Sequence, residues 1–262
     1  MKRFFLLLIS LLIIISCVGC SSDDSPGNVD DPEFELETVP RSTVYEASMQ
    51  TVTESVTAED GTELIFISVE YPIISNPEEL DNVVEINKMY ADSAQDYIDA
   101  VKVEFETAAA EAYSLDPETF ERYTFIESCE ITYNTNCFMS IKRDFDENYG
   151  DFSGQEIYAD VYDMSVGLPL YADEIITGTG EDVLKLLFLG FTSVAEEFPE
   201  RFVDGYVDIL NSAIYGTEFY LTDKAMVFVI QPGIATYPEY GCLMFEMPYA
   251  GNDVYFLKLH EK

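Results

Sequence analysis

The sequence predicts an α+β fold: antiparallel sheets packed with one long helix and a later helical pair. Three observations carry this. An apolar stripe spaced by three and four runs from Val83 to Ala112, and only a helix puts that spacing on one face. Runs rich in Val, Ile, Thr and Tyr, bounded by turn residues, lie before and after it. Strand-like and helix-like stretches come in blocks rather than in βαβ alternation.

Taken in order, residues 43–56 alternate loosely and Leu64-Ile65-Phe66-Ile67-Ser68-Val69 follows the turn pair Asp60-Gly61, so the two form a hairpin. Asn76-Pro77 opens the long helix, Asn as cap and Pro at the first position. Its stripe is Val83, Ile86, Met89/Tyr90, Ala94, Tyr97/Ile98, Val101, Phe105, Ala108 and Ala112, and it ends near Tyr113. Residues 120–133 and 138–145 are strands with Asn134 as the turn between them, and 156–162 is a third. Residues 163–167 turn. Residues 182–198 and 202–215 are helices, the second closed by Gly216, and 218–221, 225–230 and 242–247 are strands. No internal repeat is evident.

Composition bounds the function. The chain is 48% hydrophobic, with 18 Tyr and 18 Phe, enough for a full core. Thirteen Lys and Arg face 50 Asp and Glu, a formal net charge of −37. Such a surface repels phosphate backbones, which excludes nucleic-acid binding, and it attracts cationic proteins and divalent ions; solubility alone is the plainer account.

The N-terminus reads as an export signal. Lys2-Arg3 precede the apolar runs 4–9 and 11–15, too short for a spanning helix, and small residues precede a cysteine. That is the order of a bacterial lipoprotein signal. Cys17 and Cys20 both fit as the lipidated residue; Cys17 has the aliphatic Ile14 three places ahead and Cys20 has Gly19 before it. The expected organisation is a signal peptide at 1–20, an acidic, Pro-containing tether at 21–41, and a folded domain at 42–262 in two halves, about 42–115 and 116–262. The expected location is the cell envelope, lipid-anchored on the outer face of the cytoplasmic membrane or at the outer membrane.

The other cysteines are Cys129, Cys137 and Cys242. Cys129 and Cys137 flank the expected Asn134 turn, where a disulfide would suit an exported protein and two thiols would suit an anaerobe. Cys242 sits in an apolar run and reads as a buried small hydrophobe. A thiol nucleophile needs a histidine, and the single one is His260, near the end. Asp144, Asp146 and Asn148 alternate like the start of a calcium loop, but Tyr149 stands where that loop needs glycine. The adjacent acids Asp173-Glu174 and Glu196-Glu197 keep open a carboxylate-pair hydrolase. No zinc set, phosphate loop or dinucleotide fingerprint is present, so no catalytic residue, metal or cofactor is expected. Tyr237 and Tyr240, in a Gly- and Pro-containing connection, are the candidate partner-binding residues.

The C-terminal third resembles a known family. Phe219-Tyr220-Leu221-Thr222-Asp223, Val227-Phe228-Val229, Ile234-Ala235-Thr236-Tyr237, Gly241 and Phe245-Glu246-Met247-Pro248-Tyr249 follow its order, as does Asp163-Met164-Ser165-Val166-Gly167 upstream. It is the extracytoplasmic domain shared by RsiV-type anti-sigma factors and PdaC-type polysaccharide deacetylases. Tyr71-Pro72-Ile73-Ile74-Ser75 before a long helix is similar to the N-terminal half of the same pair. Where many relatives carry Gly-Gly-Ala-His, this sequence has Tyr149-Gly150-Asp151-Phe152. In the RsiV branch the domain binds lysozyme, a basic protein. The resemblance therefore implies a non-enzymatic binding or sensing module for a cationic, lysozyme-like protein or a cell-envelope ligand. An envelope hydrolase or a structural lipoprotein are the alternatives.

Overall fold

The computed structural model describes residues 45–135 and 137–252. The signal peptide, Cys17, Cys20, the tether and His260 lie outside the described residues. No helix among the described residues is long and apolar enough to cross a membrane.

The first hairpin forms as its turn chemistry requires. Strands β1 (Ala47–Thr57) and β2 (Glu63–Ile74) are antiparallel, joined at Asp60-Gly61. Gly61 takes φ +88° and the Asp60 carboxylate accepts from Thr62 N–H at 3.0 Å, an Asx turn of the kind short polar side chains make. Helix α1 (Asp81–Leu115) is 35 residues long, about 50 Å at 1.5 Å per residue. Its stripe meets the core as expected at Val83, Ile86, Tyr90, Ala94, Tyr97, Ile98 and Val101, all buried. Two positions differ: Met89 is exposed, and Ala109 rather than Ala108 is buried. The start differs as well. Asn76 does not cap the helix; its side chain accepts from Leu80 N–H and donates to Leu80 C=O, closing a loop of its own, and α1 begins at Asp81 without a side-chain cap.

After α1 the chain runs β3 (Tyr123–Thr135), β4 (Phe138–Tyr149), β5 (Phe152–Asp163) and the short β6 (Leu168–Pro169). These complete a six-stranded sheet in the order β1-β2-β3-β4-β5-β6. The pairing is antiparallel except β2 with β3, which is parallel. The long helix forces that exception, because a crossover returns the chain to the end where β2 began. Asn134 is not the turn between β3 and β4. It lies in β3 opposite Met139, and the reversal comes after Thr135, where Cys137 takes φ +63°. The Asn134 side chain donates instead to Tyr45 C=O at 2.7 Å, tying β3 to the start of β1.

The remaining chain gives α2 (Ala172–Ile175), α3 (Gly180–Glu197), α4 (Tyr206–Ala213) and a three-stranded antiparallel sheet of β7 (Glu218–Leu221), β8 (Ala225–Ile230) and β9 (Leu243–Pro248). The strands fall where the sequence reading puts them. Helix α3 opens on a capping box, Thr179 with Asp182. Every residue of β8 is buried, which a strand achieves only when both faces are covered.

Two cores result. One lies between α1 and the large sheet, with Ile65, Ile67, Val69, Tyr90, Ile98 and Phe125 at its centre. The second gathers Phe191, Leu210, Met226 and Phe228 with Phe138 and Val161 from the large sheet. Helix α3 sits so close to β9 that a Cβ at Gly190 would fall 2.4 Å from the Phe245 ring.

Candidate functional site

A groove of about 430 Å³ opens where one face of the large sheet emerges beside the β8–β9 connection. The strand register builds its floor. Ile126, Asp146 and Gln155 stand in one cross-strand row, and Ser128, Asp144 and Ile157 in the next. Alternation puts all of these on the same face. Tyr240, Cys242 and Met244 form the facing wall. The site thus combines apolar surface, one phenol and two carboxylates.

The two carboxylates differ. Asp144 is 3.0 Å from the Lys142 ammonium, which also lies 3.8 Å from Glu130. Burial works to lower the Lys142 pKa, but the hydrogen bond and charge of Asp144, joined by Tyr220 and Glu130, outweigh it and the group is raised. Asp146 meets only the neutral Gln155 amide, at 3.3 Å, among the described residues. Its charge is the one in the groove with no cation beside it. Cys242, read from sequence as buried, is half-exposed on the wall. Burial, chiefly, pushes its thiol up to about 11, away from the reactive thiolate range.

Of the candidate partner-binding residues, Tyr240 lines the groove and Tyr237 does not. Both are exposed, at 44% and 42%. Their connection is held in place: Tyr237 N–H donates to Arg201 C=O at 3.0 Å, and the Arg201 guanidinium lies 4.3 Å from the Phe198 ring centroid and 5.9 Å from that of Tyr240. Such a tether presents an aromatic without the entropy cost of ordering a free loop.

A second polar cluster lies on the opposite face, under α1. The Arg143 guanidinium is 3.4 Å from Glu127 and 3.7 Å from Asp160, and it lies within 6 Å of the Tyr90 and Phe145 ring centroids. Tyr90 donates to Asp160 at 2.8 Å, and Tyr97 donates to Glu147 at 3.0 Å. Burial raises the Glu127 carboxyl above its ordinary value despite Arg143. Burial also raises Glu147, and raises Glu218 with help from the Asp160 charge. The Arg143 Nε has no hydrogen-bond partner among the described residues. Sequence reasoning missed this cluster. Its β4 and β5 members, Arg143, Glu147 and Asp160, sit among charges of the other face such as Lys142, Asp144 and Asp146, and in so acidic a chain such a run looks like a solvated surface.

The register separates Cys129 from Cys137. Cys129 opposes Arg143, whereas Cys137 follows the end of β3, so roughly 20 Å of strand lies between them at ~3.3 Å per residue. A disulfide needs Cα atoms within about 7 Å, so of the two alternatives the register does not allow the bridge between them. Burial pushes the Cys129 thiol up to about 12. The calcium-loop residues Asp144, Asp146 and Asn148 lie along β4, extended rather than wrapped around a centre. Glu174 accepts from Tyr171 N–H at 2.8 Å at the start of α2, and Glu196-Glu197 are exposed at the end of α3; neither acid pair lines the groove.

No family model matches the sequence, and no curated protein matches it. Solved structures do. The fold is similar to that of DUF3298-family proteins. A member of that family from Bacteroides fragilis superposes with a TM-score of 0.53 at 14% identity, over 80% of this chain and 92% of that one. A DUF3298-family protein from Pseudomonas aeruginosa gives a TM-score of 0.48 at 12% identity, over 84% and 95%. DUF3298 is related to the RsiV-type domain that the sequence resembles.

Proposed function

We propose that this protein is an extracytoplasmic binding module, anchored by lipid on Cys17 or Cys20, that captures a cationic protein of the lysozyme kind through the groove at Tyr240. The observation that carries the reading is the groove's pairing of an uncompensated carboxylate, Asp146, with an exposed and tethered aromatic, Tyr240. A cationic side chain entering there gains an ion pair and an aromatic face while its stem covers Ile126 and Met244. The net charge of −37 steers a basic partner toward the surface and speeds encounter, while the groove fixes the pose.

Calorimetric titration with lysozyme at low and high salt tests this. Affinity should fall as salt screens the field, and Asp146→Asn and Tyr240→Ala should each weaken binding by roughly tenfold or more. Binding that is absent, or that is unchanged in both variants, rejects the reading. Labelling of cells with a palmitate analogue, with Cys17→Ser and Cys20→Ser compared, tests the anchor.

A further inference from the structure

The two edges of the large sheet are finished differently. On the β5 side the backbone is capped. Gln231 accepts from Ile157 N–H and donates to Ile157 C=O, and Leu170 N–H donates to Val161 C=O. On the other side, β1 is an edge strand 11 residues long. Glu46 directs both backbone groups toward β2, its N–H to Ser75 Oγ and its C=O accepting from Ser75 N–H. Backbone direction alternates along a strand, so Ala47, Met49, Thr51, Thr53 and Ser55 aim their N–H and C=O groups outward. No side chain or backbone group meets them among the described residues.

Proteins usually blunt such an edge with lysine, proline, a bulge or a short strand. β1 has no lysine and no proline, and its one register shift comes at the far end, between Val56 and Thr57. It is also flanked by acids. Glu46, Glu59 and Asp60 stand at its two ends, and Glu54 points to α1, where Lys102 is matched by Glu54 itself at 2.5 Å with Asp99 and Glu106 nearby.

We propose that the outer edge of β1 is a strand-addition site for an extended, lysine- or arginine-bearing segment of a partner protein. Main-chain hydrogen bonds to the outward groups supply the attachment, and the flanking carboxylates select a cationic segment. A second copy of this chain is the wrong occupant, because it would bring the same acids to the same edge and a further charge of −37. The site is a different surface from the groove and does not depend on it.

The test uses the full chain and a synthetic peptide about ten residues long that alternates lysine with valine or threonine, a length matched to the edge. Hydrogen exchange is followed at single amides. The peptide should slow exchange at Met49, Thr51 and Thr53 by about tenfold or more and leave Val52 unchanged, since its N–H already faces β2. A version with glutamate for lysine, and a version N-methylated along one edge, should give no protection. Thr51→Pro removes an outward N–H without touching the β1–β2 ladder and should abolish the effect; Thr51→Lys/Thr53→Lys, which repels the peptide while keeping every backbone group, gives the same answer should the proline variant fail to fold. Asp146→Asn and Tyr240→Ala should leave edge protection unchanged, which separates this site from the groove. Protection of β1 amides without added peptide together with a dimer in sedimentation, equal protection by the glutamate peptide, or no protection at all would each overturn the proposal.

Discussion

The same sheet has a capped edge along β5, beyond the two-residue β6, and a bare one at β1. At β5, Gln231 supplies a donor and an acceptor to Ile157 as another strand would, and the small sheet that carries Gln231 covers the neighbouring face. At β1 the outward backbone groups of Ala47, Met49, Thr51, Thr53 and Ser55 meet no such partner among the described residues. The difference teaches where stability and where recognition reside. Buried polar backbone must be satisfied internally, so the covered edge is part of the fold. An edge in water is satisfied by solvent and stays available to another chain.

The largest way to break the comparison is to remove the cover. Phe228→Ala empties the centre of the second core and should cost about 3–5 kcal/mol, read by denaturant unfolding. Exchange at Ile157 should rise with it. A milder intrusion is Gly190→Ala, whose new Cβ meets the Phe245 ring at 2.4 Å and should cost roughly 1–3 kcal/mol. Trimming Phe245 to Leu in the same chain should return part of that loss; an additive double mutant would show that α3 and β9 are not in contact as described. Gln231→Leu keeps the volume but leaves Ile157 N–H and C=O unpaired, and should cost about 1–3 kcal/mol with faster exchange at that single amide. At the bare edge, Thr53→Lys should lie within about 0.5 kcal/mol of the parent. A large loss there would mean that β1 is not free.

Acidity sharpens the same contrast. Glu127, Glu147 and Glu218 are raised above the ordinary glutamate value, chiefly by burial, and they lie on β3, β4 and β7, away from the β1 edge. The folded state therefore holds protons that the unfolded state releases. Their contribution is present at low pH and is lost as pH rises from the ordinary glutamate value through the raised ones. Asp60 and Glu63 at the β1–β2 turn are lowered by hydrogen bonds, from Tyr113 and from Ser55 first, and act with the opposite sign, but both are solvent-screened. Unfolding measured between about pH 5 and 8 should show stability falling with pH, and Glu218→Gln, which removes one of the raised carboxyls at nearly constant volume, should flatten the slope.

Much of the architecture could be read in advance because it is written in neighbouring residues. The α1 stripe, the Asp60-Gly61 turn and strands β7 to β9 each follow from spacing within a short window. The misses share a cause. Asn76 and Asn134 carry turn-forming side chains, and both are used in hydrogen bonds whose partners, Leu80 and Tyr45, define a different local geometry from the one expected. Cys129 and Cys137 flank what looked like a tight turn, and moving the reversal to the end of β3 carried them apart. Tyr240 was legible as an exposed aromatic; the acids it faces were not, because Asp144 and Asp146 are two of 50 and only the β3–β4–β5 register brings them to its side.

The sequence by itself determined the class of fold, the long helix, the order of its elements and the strong negative charge, since periodicity, turn chemistry and composition are properties of residues close along the chain. Tertiary structure alone decided the parallel pairing of β2 with β3, the burial of Arg143 among carboxylates, the groove, and which sheet edge is covered. Those depend on which distant segments meet, and that choice is made by the joint packing of two cores rather than by any segment on its own.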